Sequence, residues 1–462
     1  VLRIAVSGYY GFKNAGDDAI LIALTTTIRA LAPGAEITVF SNSPAETRQM
    51  YGVRAINRWN PFGVVWTLMR SDLLLSGGGG LLQDVTGVLS ICYYLMVVLL
   101  ALAVGKPVVY YAQGVGPVRS RFGRWLTRVV SNRVDLITVR DQASRDDFLA
   151  MGVNRPPMAV TADPVLALNP AQLNAGNGLE LLDELYRAAS QTPSGRHTGA
   201  PPELQGANEG LPVRVLSNGV DRVPELATAD GKRGSAAEPG AESERTKTAP
   251  ERRLGIIIRD WPDTGHYKKC VASTADRFVR DGWSVILVPF HYPDDVQACR
   301  EVSRLMQEPN LLVDSRLPVG SLFGLLGALD LVLAMRLHAI VMASVMRVPC
   351  VGISYDPKVE RFLELTGQPN AGSVAGLEEE RLYRVMTETW ERRQEIAANL
   401  DRVLAQLKQQ ALETASLTLS VFYARSPRKR REPGRANNRG QRTPAGETLR
   451  GSARGKGKNL KQ

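Results

Sequence analysis

Short apolar runs alternate along most of the chain with longer stretches in which apolar positions recur every three or four residues. Runs at 2–7, 36–40, 73–76, 108–112, 136–139 and 158–161 predict one series of strands. Runs at 254–259, 284–289, 311–313, 329–333 and 350–353 predict a second. The patterns between them, among others at 17–31, 124–132, 140–151, 275–280, 296–307 and 336–346, predict helices. Strands that are apolar on both faces and alternate with crossover helices belong in parallel sheets. The class expected is α/β, with two Rossmann-like domains facing across a cleft.

The expected boundaries are 1–170 for the first domain, 254–375 for the second, and 376–424 for helices packing back on the body. Between the domains, 171–253 reads as a linker or insertion, mostly disordered. From about 190 it is dominated by Gly, Pro, Ala, Glu, Ser and Thr, and such a composition buries too little surface to offset its ordering entropy. The stretch 425–462 reads as a disordered basic tail. No residue is charged between Asp84 and Lys106, and 88–104 is almost wholly apolar, near the lower limit for a membrane span. Because Gly105-Lys106-Pro107 stops it and a strand follows at once, it predicts a buried helix instead.

Composition narrows the function classes. At 44% hydrophobic and 22% charged over 462 residues, the chain is neither fibrous nor wholly disordered. Its formal charge of +11 is confined to the tail, where 13 Lys/Arg face 2 Asp/Glu, and the remainder is neutral. The basic balance therefore does not describe a nucleic-acid-binding fold. The tail has no aromatics for stacking, so no specific nucleic-acid partner is expected, but it offers a peripheral contact to an anionic membrane. Cys92, Cys270, Cys299 and Cys350 are scattered, which excludes a disulfide framework and zinc spacing and fits a reducing compartment. With no basic n-region or h-region before the first strand, no signal peptide is expected, and the placement is cytoplasmic, at the inner face of the membrane if the tail docks there.

Candidate chemistry gathers at strand ends, where doubly wound sheets bind ligands. Ser7-Gly8-Tyr9-Tyr10-Gly11-Phe12-Lys13-Asn14-Ala15-Gly16-Asp17 joins the first strand to the first helix. The glycines allow a tight turn, and two aromatics and a Lys beside them exceed what a turn requires, so Gly8, Tyr9, Gly11 and Asn14 are candidate binding residues; the plainer reading is a turn capped by Asp17. The spacing is neither a dinucleotide fingerprint nor a P-loop. Ser76-Gly77-Gly78-Gly79-Gly80-Leu81-Leu82-Gln83-Asp84 follows another strand. Gly78 and Gly79 imply a close approach to the backbone, and Asp84 is a candidate base or sugar ligand, or else a helix cap. In Tyr111-Ala112-Gln113-Gly114-Val115-Gly116-Pro117, Gln113 and Gly114 sit at a strand mouth. Arg140, Arg259 and Arg336 stand at or just beyond strand ends and match the geometry of an anionic substrate. His338, two residues after Arg336, is the main candidate for acid/base work, with His291 as a secondary one. No cluster has metal-ligand spacing, so no metal is expected.

Taken in order, these motifs, Arg336-Leu337-His338 and Ser354-Tyr355-Asp356-Pro357-Lys358 resemble the polysaccharide pyruvyltransferase family, especially its bacterial cell-wall branch. The resemblance covers about 1–170 and 254–367; the 190–253 stretch and the basic tail depart from the family pattern. It implies a glycosyltransferase-B-like fold. It also implies transfer of pyruvate from phosphoenolpyruvate, a co-substrate with no further cofactor, onto two hydroxyls of a sugar. The acceptor implied is often an N-acetylmannosamine of a cell-wall polymer or its lipid-linked precursor, and the product is a cyclic ketal. The family's Arg-x-His pair falls on Arg336 and His338, and its strand-end arginine on Arg140 before Asp141. Two other readings stand beside it. One is a nucleotide-sugar glycosyltransferase of the same architecture with Glu360 as ribose ligand; the other is a non-enzymatic polysaccharide- or membrane-surface-binding protein.

Overall fold

The computed structural model describes residues 1–84, 87–173, 178–191, 252–262 and 265–425. The first sheet is built from β1 (Arg3–Tyr10), β2 (Glu36–Ser41), β3 (Arg54–Asn57), β4 (Leu73–Ser76), β5 (Gly79–Leu82), β6 (Val108–Val115), β7 (Leu136–Val139) and β8 (Met158–Val160). Its order is β3-β2-β1-β4-β6-β7-β8, with β5 added alongside β6. The second contains β9 (Arg252–Ile257), β10 (Trp283–Leu287), β11 (Leu311–Leu312), β12 (Leu331–Ala334), β13 (Cys350–Ser354) and β14 (Asn370–Ser373). Its order is β11-β10-β9-β12-β13-β14. All pairings between these strands are parallel, as the doubly apolar runs require; Val6 pairs with Leu75 and Val332 with Gly255 in the two sheet centres. Strands β3, β5 and β14 escape the apolar-run criterion because they are short and rich in Gly, Asn or Arg.

The two halves share one apolar cluster, to which the second contributes strand residues such as Ile257 and Val332. Ala15, Ala19 and Ile20 of helix Ala15–Leu31 meet Leu337, Ile340 and Val341 of helix Leu337–Val345 within it. Helix Arg393–Arg425 runs from this shared cluster, through Leu400, Leu404 and Ala411, to the first sheet, where Ala415 and Leu419 pack with Leu21, Leu24 and Ile28. Val1–Ala424 is accordingly one compact unit. The stretch expected as linker from 171 contains helix Gly178–Gln191, whose Leu181, Leu182, Leu185 and Tyr186 are buried in the shared cluster. Its apolar spacing was outweighed in the sequence by the polar composition that follows. The remainder of the expected insertion, 192–251, and the tail after 425 lie outside the described residues.

Helix Val88–Ala103 packs Ile91, Leu95, Val98 and Ala101 against the first sheet. It is not buried all round, since Leu89 and Met96 face solvent. No helix among the described residues is long and apolar enough to cross a membrane.

Candidate active site

The carboxyl ends of β1 and β10 meet at a seam between the two halves. Asn14 caps helix Ala15–Leu31 by accepting the Gly16 N–H at 3.0 Å, so the cap is Asn14 rather than Asp17. The Ala15 N–H donates to the Phe290 carbonyl at 2.8 Å, and the Tyr292 N–H donates to that of Lys13 at 3.0 Å. His291 adds a side-chain stitch, its Nε2 lying 3.1 Å from the Phe12 carbonyl. A carbonyl only accepts, so Nε2 carries the proton. Burial, and then the Arg336 guanidinium, push the His291 imidazole below its ordinary value, against the opposing pull of Asp294, 3.3 Å from its Nδ1, and of Asp295. Tyr9 stacks on Phe12 with centroids 4.1 Å apart and touches His291 edge-on. Above this seam opens a cavity of about 430 Å³.

His338 stands in the cavity wall, in the first turn of helix Leu337–Val345. Its Nε2 lies 3.5 Å from Oδ2 of Asp163, an ion-pair separation longer than a formed hydrogen bond, and has no hydrogen-bond partner among the described residues. The same carboxylate is 3.3 Å from Nη1 of Arg140, while its Oδ1 accepts the Val165 N–H at 3.1 Å. Burial alone would raise the Asp163 carboxyl; the imidazole, the guanidinium and the Val165 N–H outweigh it and hold it down to about 2. Asp163 is therefore a permanent anion that orients both groups. Two glycines make room for the pair. A Cβ on Gly16 would come within 2.2 Å of Nδ1 of the His338 imidazole, and one on Gly114 would sit 2.7 Å from the Arg140 guanidinium.

The remaining wall is charged. Arg336 is gripped in bidentate fashion by Asp295, whose Oδ2 receives its Nε at 3.0 Å and also the His291 N–H at 2.9 Å. Arg259 lies over the Tyr355 ring at 4.9 Å from its centroid. Lys358 pairs with Asp356 at 2.9 Å, and Asp356 in turn caps helix Pro357–Thr366. Facing these cations is Asp17. Burial raises its carboxyl from 3.8 to about 7, although His338, Lys358 and Arg336 all oppose the rise and only Asp18 adds to it. Asp17 is thus the carboxyl of this cavity that burial readies to carry a proton near neutral pH, opposite the cations.

Of the residues read from the sequence, Tyr9, Asn14, Arg140, Arg259, His291, Arg336 and His338 line the cavity together. Asp84 does not. Its carboxylate accepts the N–H groups of Arg119 and Ser120 at 2.9 and 2.7 Å, so it shapes the start of helix Arg121–Ser131. Although burial opposes it, these bonds hold the carboxyl below its usual range, unsuited to a base. Gln113 is buried, with Nε2 donating to the carbonyls of Gly79 and Gly114 at 2.9 and 3.0 Å, so it fastens β5 to β6 instead of reaching a ligand. The close approach inferred at the glycines is made by the protein's own side chains. Gly8 packs on Tyr10, Gly11 on Ser41, Gly78 on Ile20 and Gly79 on Asp17, while Gly114 serves Arg140.

Sequence reasoning missed Asp17, Asp163, Asp295, Tyr355 and Lys358 as site groups. Asp163 carried a usable signal, since Thr161-Ala162-Asp163-Pro164 follows β8 as the arginines follow their strands. Asp295 carried none, because its partner Arg336 is distant in the chain. Among the described residues no group of three or more His, Cys, Asp or Glu side chains is placed to hold a metal ion.

Comparison with known proteins supplies the context. The chain superposes on Anabaena HepE in complex with UDP-glucose with a TM-score of 0.56 at 14% identity, covering 92% of this chain and 100% of that one. It superposes on a glycosyltransferase from Rickettsia africae with a TM-score of 0.57 at 9% identity (92% and 99% covered). For UDP-GlcNAc 2-epimerase from Neisseria meningitidis bound to UDP-GlcNAc, the TM-score is 0.53 at 10% identity (91% and 100% covered). At such identities the likeness establishes the glycosyltransferase-B-like fold. No curated protein matches the chain in sequence. The family description "polysaccharide pyruvyl transferase" matches residues 14–357, a span that runs from the Asn14 cap through the Arg336/His338 pair to Pro357. The chain belongs to the polysaccharide pyruvyl transferase family.

Proposed function

We propose that the protein transfers the pyruvyl group of phosphoenolpyruvate to two hydroxyls of a cell-wall sugar, an N-acetylmannosamine in a polymer or its lipid-linked precursor, forming a cyclic ketal. The observation that carries this reading is a single cavity walled by Arg140 from the first half and Arg259, Arg336 and Lys358 from the second, beside His338. Such a wall suits a small donor with both carboxylate and phosphate charges.

Chemically, one proton must reach the methylene carbon of the enol, giving an oxocarbenium-like centre that the first hydroxyl attacks. The carbon–oxygen bond to phosphate then breaks, and the second hydroxyl closes the ring. Of the two hydroxyl protons, one is balanced by the new methyl hydrogen and the other by phosphate. His338, oriented by Asp163, is the acid/base group for this traffic, and Asp17 is a second proton carrier at neutral pH. Arg336 and Arg140, with Arg259, hold phosphate and carboxylate as negative charge shifts to the leaving group.

A second reading, a nucleotide-sugar transferase, is favoured by the structural neighbours bound to UDP-glucose and UDP-GlcNAc. Against it, Glu360, its candidate ribose ligand, accepts the Ser354 hydroxyl at 2.7 Å and stands outside the cavity wall. The deciding experiment incubates the protein with phosphoenolpyruvate and candidate lipid-linked aminosugar disaccharides and follows phosphate. Acceptor-dependent phosphate release is the expected result. Silence with every such acceptor, together with UDP release from a UDP-sugar, would transfer the assignment to the second reading.

A further inference from the structure

Three helices cover one face of the first sheet, Pro61–Arg70 packing on Val88–Ala103 and that in turn on Arg121–Ser131. Their inner faces behave as expected, with Val64, Leu68, Ile91, Leu95 and Val130 in the core. Their outer faces do not. On the first helix Phe62, Trp66 and Met69 follow each other at spacings of four and three, opposite Val64 and Leu68, and Phe62 is 86% and Trp66 58% exposed. The second helix has no charged residue in sixteen, and Leu89, 85% exposed, and Met96 stand two turns apart on its outer side. On the third, Phe122 and Trp125 lie against each other with centroids 5.9 Å apart, and Trp125 is 56% exposed. Arg121, Arg124 and Arg128 stand on the same helix, Arg124 also donating to the Ala150 carbonyl at 3.1 Å, and Arg70 lies over the Trp66 ring at 5.0 Å. The three helices together hold four arginines and no acidic residue.

We infer that this face docks on the surface of an anionic lipid bilayer. Large aromatic tips interleaved with arginines suit the headgroup boundary, where the rings bury in the acyl margin and the guanidinium groups meet lipid phosphate. A second copy of the chain fits poorly: a two-fold contact would set arginines against arginines with no carboxylate to receive them. The face is also continuous with the cavity. Ser90 and Tyr94 of the middle helix line it, and Leu89 stands beside Ser90. A sugar carried on a membrane-anchored lipid would thus reach the cavity along the inner end of that helix. The docking surface is independent of the pyruvyl-transfer reading; only this purpose rests on it. It is also distinct from the basic tail, which has no aromatic residue.

The test uses the full chain and vesicles of equal parts phosphatidylglycerol and phosphatidylethanolamine, without donor or acceptor, so that its outcome is separate from that of the phosphate assay. Brominated acyl chains in the vesicles should quench tryptophan fluorescence. The Trp66→Phe/Trp125→Phe variant should bind vesicles yet lose most of that quenching. The Phe62→Ser/Trp66→Ser/Trp125→Ser variant should lower the vesicle partition coefficient by at least about tenfold, with turnover of a water-soluble acceptor unchanged. Vesicle binding without quenching, or a partition coefficient untouched by the triple substitution, would assign docking to the tail and overturn the proposal. So would a chain dimer in solution that the triple variant dissolves.

Discussion

Asp17 gives the sharpest quantitative consequence of the site. The folded chain holds its proton more tightly than the unfolded chain, because burial raises the carboxyl from 3.8 to about 7. Between those values the native state binds more protons than the unfolded one, so this residue's contribution to stability falls as pH rises through the window. Below 3.8 both states are protonated and nothing is lost; above about 7 the full penalty of the buried charge applies. Roughly three pH units at about 1.4 kcal/mol each give an upper estimate of about 4 kcal/mol. Asp17→Asn keeps the shape and removes the charge. Urea unfolding followed across about pH 4 to 9 should find the variant and the wild type equal at the acidic end. The variant should be the more stable by about 2–4 kcal/mol at about pH 8. Its turnover should meanwhile fall, since the cavity has lost a proton carrier, the usual relation between a strained site and its activity. A variant no more stable than wild type at alkaline pH, or a difference flat with pH, would refute the reasoning.

Other consequences are simpler to measure. His338→Ala should lower turnover at least about 10²-fold, and steady-state kinetics on a correctly folded variant checks it. Asp163→Asn should lower turnover in the same direction and also destabilise the fold by about 1–3 kcal/mol, because buried Arg140 then keeps only Asp141, 3.6 Å away, as its anion; paired kinetics and denaturation measure both. Gly16→Ala should reduce turnover nearly as far as His338→Ala, since the new Cβ displaces the imidazole. Combining it with His338→Ala should add nothing, a non-additivity that a double-mutant cycle reads directly. Arg336→Lys keeps the charge but loses the bidentate grip on Asp295; phosphoenolpyruvate titrations should show weaker donor binding.

Much of the architecture was legible in the chain because it follows from local period. Strands buried on both faces read as apolar runs, and in this fold class ligands sit beyond their carboxyl ends, so Arg140, Arg259, Arg336 and His338 stood out by position alone. The confinement of the excess positive charge to 425–462 was likewise a matter of counting. Partners were not legible, because they depend on how two sheets are brought together. Asp163 reaches His338, and the Gly16 backbone reaches the same imidazole, only across the seam between the halves. Gln113 and Asp84 looked like ligands from their strand-end positions; tertiary hydrogen bonds turned one inward and tied the other to a neighbouring helix. The apolar run at 88–104 announced a helix, but periodicity does not say what lies against its outer face. Only packing, which leaves Leu89 and Met96 uncovered beside Trp66 and Trp125, distinguishes a core helix from one with a surface to share.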